Sequence, residues 1–138
     1  MRLFLDTNVV LDLLGERKPF YESIAKIATL ADKGQITLVV SALSYSTVNY
    51  ILMKYENREK VIGKLQKFKV ISEICSLDEV INEKSLNSKF KDFEDALQYF
   101  SALKNGCNII ITRNVKDFKE SEIPVMTPAE YLTTIRKR

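Results

Sequence analysis

Short apolar runs alternate along the chain with stretches in which apolar residues return every three or four positions. Leu3-Phe4-Leu5, Ile36-Thr37-Leu38-Val39-Val40, Val70 to Cys75, Asn108-Ile109-Ile110-Ile111-Thr112 and Ile123 to Met126 have strand character. The second run is apolar or β-branched throughout, which predicts a strand buried on both faces, as in a parallel sheet. Between the runs, Ile24, Ile27, Ala28 and Ala31 share a helical face, and so do Val61, Ile62, Leu65 and Phe68. These predict helices over Phe20 to Ala31 and Asn57 to Phe68, the first opened by Pro19 and closed at Gly34. Further helices are predicted over Asn8 to Leu14, from Ser41 or Ser44 through Tyr55, from the capping-box pattern Ser76-Leu77-Asp78-Glu79, and over Phe93 to Lys104 behind a capping Asp92. Thr127-Pro128-Ala129-Glu130 supplies an N-cap, a proline at N1 and a glutamate at N3 for a last helix. That helix ends in Arg136-Lys137-Arg138, and basic residues favour a helix C-terminus. Strands alternating with helices predict a three-layer α/β/α fold around a parallel sheet. The length suits one domain over residues 1–138.

Composition adds mostly exclusions. At 46% hydrophobic and 28% charged, the chain reads as a soluble globular protein. It has no apolar run long enough to span a bilayer and no secretory leader at its start, so a cytoplasmic protein without membrane contact is expected. Cys75 and Cys107 read as buried reduced thiols. The net charge of +3 is mild, and the basic stretch from Lys54 to Lys69 reads as a solvated helix face. Tyr45, Tyr50 and Tyr55 read as helix packing. The absence of histidine changes the picture most. It removes the Ser-His-Asp triad, the Cys-His pair, histidine acid–base chemistry and histidine zinc sites. Chemistry must rest on carboxylates, amides, hydroxyls, amines or a metal.

Acidic residues stand where such chemistry would need them. Asp6 closes the first apolar run, and the carboxyl ends of strands are where open α/β sheets bind ligands. Asp92-Phe93-Glu94-Asp95 opens a helix, with Asp92 and Asp95 on a shared face. Thr112-Arg113-Asn114-Val115-Lys116-Asp117-Phe118 follows the most hydrophobic strand. Each has a local explanation: Asp6 and Asp92 can cap helices, Asn114 and Asp117 can form turns, and Asp12 reads as a surface charge. Taken jointly, carboxylates converging from distant strand ends call for a hard divalent cation to offset their repulsion. The four scattered glycines form no phosphate-binding loop.

These segments together resemble the PIN-domain family of nucleases. Leu3 to Leu14 is similar to the family's opening motif, Phe93-Glu94-Asp95-Ala96-Leu97-Gln98 to its central acidic motif, and Ile110 to Phe118 to its closing motif, with Ile123 to Pro128 similar to the usual tail. The resemblance implies a five-stranded parallel sheet flanked by helices and Mg²⁺- or Mn²⁺-dependent cleavage of RNA. It implies Asp6, Asp92, Asp95 and Asp117 as catalytic carboxylates, with Asp6 and Asp95 on the metal. Asn8, Thr47, Thr112 and Asn114 would position substrate or water, and Lys91, Arg113 and Lys116 would hold the RNA backbone. Many stand-alone members are VapC-type toxins, which implies a small antitoxin partner and a homodimer. Two positions depart from the family: a glutamate is usual early in the helix after strand two, and here it falls on Thr47, while Asn114 stands where many members have aspartate. The departure at Thr47 keeps open a catalytically weakened module that binds RNA or protein.

Overall fold

The computed structural model describes residues 1–136. Within them the order is β1 (Arg2–Leu5), α1 (Thr7–Leu14), α2 (Tyr21–Asp32), β2 (Thr37–Ser41), α3 (Ala42–Leu52), α4 (Arg58–Val70), β3 (Ser72–Cys75), α5 (Glu79–Leu86), α6 (Phe93–Lys104), β4 (Ile109–Ile111), β5 (Val125–Met126) and α7 (Pro128–Arg136). A 3₁₀ turn, Val115–Phe118, follows β4. The strands form one parallel sheet in the order β3-β2-β1-β4-β5. This is the expected α/β architecture. The basic ending Lys137-Arg138 lies outside the described residues.

The pleat explains the two cores. Successive side chains of a strand point to opposite faces, so Leu3 and Leu5 of β1 join Leu38, Val40, Ile109 and Ile111 on one face, packed by residues of α1, α2, α3, α4 and α7. Phe4 points the other way and joins Val39, Ile110, Tyr99, Ala102 and Phe118. In register, Phe4 stands between Val39 and Ile110. β1 is therefore buried on both sides and lies at the centre of the sheet. The chain first builds outward from β1 to β2 and β3, then returns past it to β4 and β5. The reversal lies between β1 and β4, where open α/β sheets place their binding crevice.

Local signals set most boundaries. Ser41, Asn57, Asp78 and Asp92 each accept a first-turn backbone N–H as N-caps. Thr127 and Glu130 exchange reciprocal bonds of 2.9 and 3.1 Å, the expected capping box. Gly34 follows α2 at φ +75°, a left-handed position that suits glycine. Cys75 and Cys107 are buried free thiols.

Four expectations need correction. The cap of α5 is Asp78, not Ser76: the Asp78 carboxylate accepts from Ile81 N at 2.9 Å, and a carboxylate also gains from the helix dipole. Val70 belongs to α4 and is exposed, so the third strand begins at Ser72. α3 stops at Leu52; Tyr45 packs on Phe68, while Tyr50 and Tyr55 are exposed. Asp12 is not a surface charge, since it is 1% exposed beneath Arg113 and Arg17. Among the described residues no helix is long and apolar enough to cross a membrane.

Candidate active site

The parallel sheet brings the carboxyl ends of β1, β2 and β4 to one edge, with Asp6, Ser41 and Thr112 at those ends. Asp6 N still donates to Ile111 O at 2.9 Å, so the β1–β4 ladder fixes the backbone up to this candidate site residue. The Asp6 side chain is 8% exposed. Its Oδ1 accepts from Thr7 N at 2.9 Å and from Gln98 Nε2 at 3.3 Å. Its Oδ2 accepts from the Thr112 hydroxyl at 2.9 Å. Asp6 thus caps α1, the local role open to it, while facing the site.

Every donor to Asp6 is neutral. Burial pushes its carboxyl above the usual carboxylate range, opposed by the bonds from Thr112, Gln98 and Thr7, and the nearby Asp117 pushes it further up. Full charge compensation must come from something other than these donors.

Gln98 organises the floor of the site. It lies one turn beyond Asp95 on α6, on the same helical face, and it is 2% exposed. Its Nε2 reaches Asp6 Oδ1, Thr7 Oγ1 at 3.2 Å and Ser44 Oγ at 3.0 Å, and its Oε1 accepts from Ser41 Oγ at 2.7 Å. Ser44 also meets Thr7 Oγ1 at 2.7 Å. β1, α1, β2, α3 and α6 are thereby tied through one amide. Reading the sequence missed Gln98, Ser44, Ser41 and the Thr7 hydroxyl. A signal existed for Gln98: an amide flanked by Ala96, Leu97, Tyr99 and Ala102 on a buried helix needs partners. Thr47 lies one turn beyond Ser44, half-buried. Among the described residues, none of the bonds in this network reaches it.

Asp95 occupies the first turn of α6, its backbone N–H held by the Asp92 cap at 3.0 Å. Its carboxyl is pushed up to about 7, first by burial and then by Asp6, Asp92, Asp117 and Glu94. The structure therefore brings together the acidic residues singled out in the sequence. Asp92, Asp95 and Asp117 line a cleft of about 460 Å³, with Lys91, Lys116, Lys89 and Lys119 around it. Asn8 donates to Thr112 Oγ1 at 3.3 Å and accepts from Arg113 N at 3.3 Å, and Asn114 N donates to Thr112 Oγ1 at 3.1 Å. These amides hold the threonine that holds Asp6.

Arg113 departs from this group. Its Nε lies 2.8 Å from Asp12 Oδ2 and its guanidinium 4.2 Å over the Phe20 ring. The pair is a close charge contact without a directed hydrogen bond. Arg113 lines a different cavity from the acidic cleft.

The donor set suits a hard cation. A buried carboxylate with only neutral donors, Asp6, near the half-buried Asp95 and the exposed Asp92 and Asp117, suits the oxygen-seeking ions Mg²⁺ and Mn²⁺. Among the described residues, no group of three acidic, histidine or cysteine side chains forms a ready metal cage. One or two carboxylates completed by water and phosphate oxygens match the usual pattern for Mg²⁺.

Comparison with known proteins identifies a family and a fold. A family profile described as PIN domain matches residues 2–116. The chain is 30% identical over 135 residues to Ribonuclease VapC1 of Aquifex aeolicus (strain VF5), covering 94% of this chain and 92% of the relative. Among solved structures, DNA-bound VapBC from Salmonella typhimurium superposes with a TM-score of 0.71 at 17% identity, covering 93% of this chain and 98% of that one. VapBC-1 from nontypeable Haemophilus influenzae gives 0.70 at 21% identity, covering 94% and 99%. At these identities the two structures speak to the fold.

Proposed function

The chain belongs to the PIN-domain family, and from that premise we propose that it is a divalent-metal-dependent endoribonuclease, the toxin of a toxin–antitoxin pair. The observation that carries the reading is Asp6: a buried carboxylate at the sheet's switch point, held only by neutral donors, with Asp117 and Asp95 as charged neighbours. The similarity to a VapC ribonuclease over nearly the whole chain supports the substrate class. The likeness to VapBC assemblies supports a small antitoxin partner. A homodimer in the cytoplasm completes the proposal.

In this reading Asp6 and Asp95 hold Mg²⁺ or Mn²⁺, directly or through water. When bound, the ion supplies an activated water and offsets charge building on the scissile phosphate. The chain's own groups do the rest. Thr112 fixes the Asp6 carboxylate, and Gln98 fixes its other oxygen. Asp95, whose carboxyl burial and its acidic neighbours push up to about 7, would give its proton to solvent water when a cation is held. Asp92 and Asp117 orient water at the cleft wall, with Asn8, Asn114 and Thr47 as further positioning groups. Lys91 and Lys116, at the rim, hold the RNA backbone by charge.

The test is cleavage of mixed RNA by the purified protein with Mn²⁺, with chelator, and with Asp95→Ala. Products that need the metal and vanish in the variant support the reading. Thr47, a hydroxyl where the family usually has a glutamate, favours one rival, a weakened module. RNA binding without products in any metal would establish that rival.

A further inference from the structure

A second cavity lies beside the site and plays no part in the chemistry above. It has a volume of about 370 Å³ and is lined by Pro19, Phe20 and Ser23 on one side, Arg113 and Asn114 on another, and the start of α7, Thr127 to Ala129, on the third. Phe20 is 41% exposed, with a guanidinium stacked above its ring.

The charge of this cavity is close to cancelled. Arg113 and Arg17 share buried Asp12, and Glu130 at the start of α7 opposes the remaining positive charge. The first turn of α7 offers little to an anion: Pro128 has no N–H, Thr127 and Glu130 satisfy each other, and Glu130 adds a negative charge there. A phosphate has no excess positive charge to meet. What remains is a flat cation-and-ring surface, apolar walls from Pro19, Pro128 and Ala129, and the Ser23 hydroxyl and Asn114 amide at the edge. Such a surface accepts an uncharged planar group by stacking.

The cavity also sits next to the reacting centre. Asn114 lines it, and Asn114 N is bonded to the Thr112 hydroxyl that holds Asp6. Two residues of chain reach at most about 7 Å. The cavity is therefore within reach of a base attached to a sugar beside a phosphate that meets the cation held by Asp6.

We propose that this cavity binds one unpaired nucleobase of the RNA substrate, stacked on Phe20 and Arg113, and so sets which phosphodiester enters the acidic cleft. The proposal rests on the nuclease reading. It gives the chain a base-reading element separate from its phosphate-holding lysines.

The test uses the full chain in chelator, so that binding is read without cleavage. The probe is a labelled single-stranded RNA dodecamer that the protein binds, with one base at a time replaced by an abasic sugar. One position is expected to weaken binding about tenfold or more in the wild type, the scale of one lost base stack. In Phe20→Ala and in Ala129→Trp, the intact RNA binds about as weakly as the abasic one, and the abasic substitution has no further effect. Ala129 is exposed in the first turn of α7 and lines the cavity, so its variant fills the cavity while leaving Phe20 and Arg113 unsubstituted. Equal losses at every abasic position, or the same positional loss in both variants, would overturn the proposal. A change of oligomeric state in Ala129→Trp with base discrimination intact would assign the cavity to a second copy and also overturn it. Cleavage with Mn²⁺ is measured in parallel. Cleavage without positional binding defeats the cavity proposal alone, and positional binding without cleavage defeats the nuclease reading alone.

Discussion

Asp6 caps α1 and Asp12 lies in its last turn, and both are buried, yet the protein gives them opposite kinds of partner. Asp12 receives cations from the chain itself: Arg113 at 2.8 Å and Arg17 at 3.8 Å. Asp6 receives an amide, a hydroxyl and a backbone N–H, and no cation. A buried charge without an opposite charge is expensive to hold. At Asp12 burial still pushes the carboxyl up, but two arginines of the chain oppose that push, and the residue locks α1 to the loop after β4. At Asp6 the push meets no cation, and the neighbouring carboxylates Asp95 and Asp117 worsen it. The two aspartates therefore differ in the partners the chain gives them, and under the proposed function it is the acid without an internal cation that takes one from solution.

The comparison breaks most completely if Asp6 is given what Asp12 already has. Gln98→Lys puts an ammonium where the amide donates to Asp6. Cleavage is expected to fall by several orders of magnitude, and Mn²⁺ no longer raises the melting temperature. A plain deletion, Gln98→Leu, keeps the cation site and loses only its positioning. Activity then drops about 10- to 100-fold, the usual range for a residue that orients a ligand. Steady-state cleavage beside thermal unfolding with and without Mn²⁺ separates the two variants. Equal loss of metal response in both would show that the amide is needed for more than orientation.

The opposite manipulation removes the cation that Asp12 has. Arg113→Ala leaves a carboxylate that is 1% exposed without its nearer partner. Stability is expected to fall by about 3 kcal/mol, the lower end for breaking a buried pair, because Arg17 remains. Denaturant unfolding measures the loss. Cleavage per folded molecule falls far less than in Gln98→Lys, because Asp6 keeps all its donors. A loss of activity as deep as that of Gln98→Lys would mean that the two aspartates are not separable.

The smallest expected effect is a pH slope from Asp95. Its folded carboxyl sits near 7, above the unfolded value of about 4. Between those values the native state holds more protons than the unfolded state, so metal-free stability falls as pH rises from about 4 to about 7 and then levels. Asp95→Asn flattens that slope and raises the melting temperature at pH 8 by a few degrees. The same proton competes with the cation, so apparent Mn²⁺ affinity rises up to about pH 7. Melting curves across pH in chelator check both statements. A slope unchanged in Asp95→Asn would place the titrating group elsewhere.

The sequence made the parts of the site that depend on element ends legible. Asp6 and Thr112 could be found because each follows a short apolar strand, and Asp92 and Asp95 because a capping acid announces α6. A parallel sheet then has to bring strand ends to one edge. The roles set by tertiary partners were hidden. Asp12 reads as surface because nothing local distinguishes it; its burial depends on Arg113, which arrives only after β4 folds beside β1. Gln98 lies within a recognisable motif, but its importance comes from Ser41, Ser44 and Thr7, which reach it from β2, α3 and α1. The 3₁₀ turn that carries Asp117 has no apolar period of its own and is fixed by Phe118 packing against Phe90 and Ile110.

The most direct test is a Mn²⁺ titration of the wild type and Asp6→Ala, following thermal unfolding and RNA cleavage in the same samples. The wild type should gain melting temperature and begin to cleave over the same Mn²⁺ range, and Asp6→Ala should do neither while remaining folded. A folded Asp6→Ala protein that still responds to Mn²⁺ and still cleaves would contradict the claim that the uncompensated charge at Asp6 is the cation site.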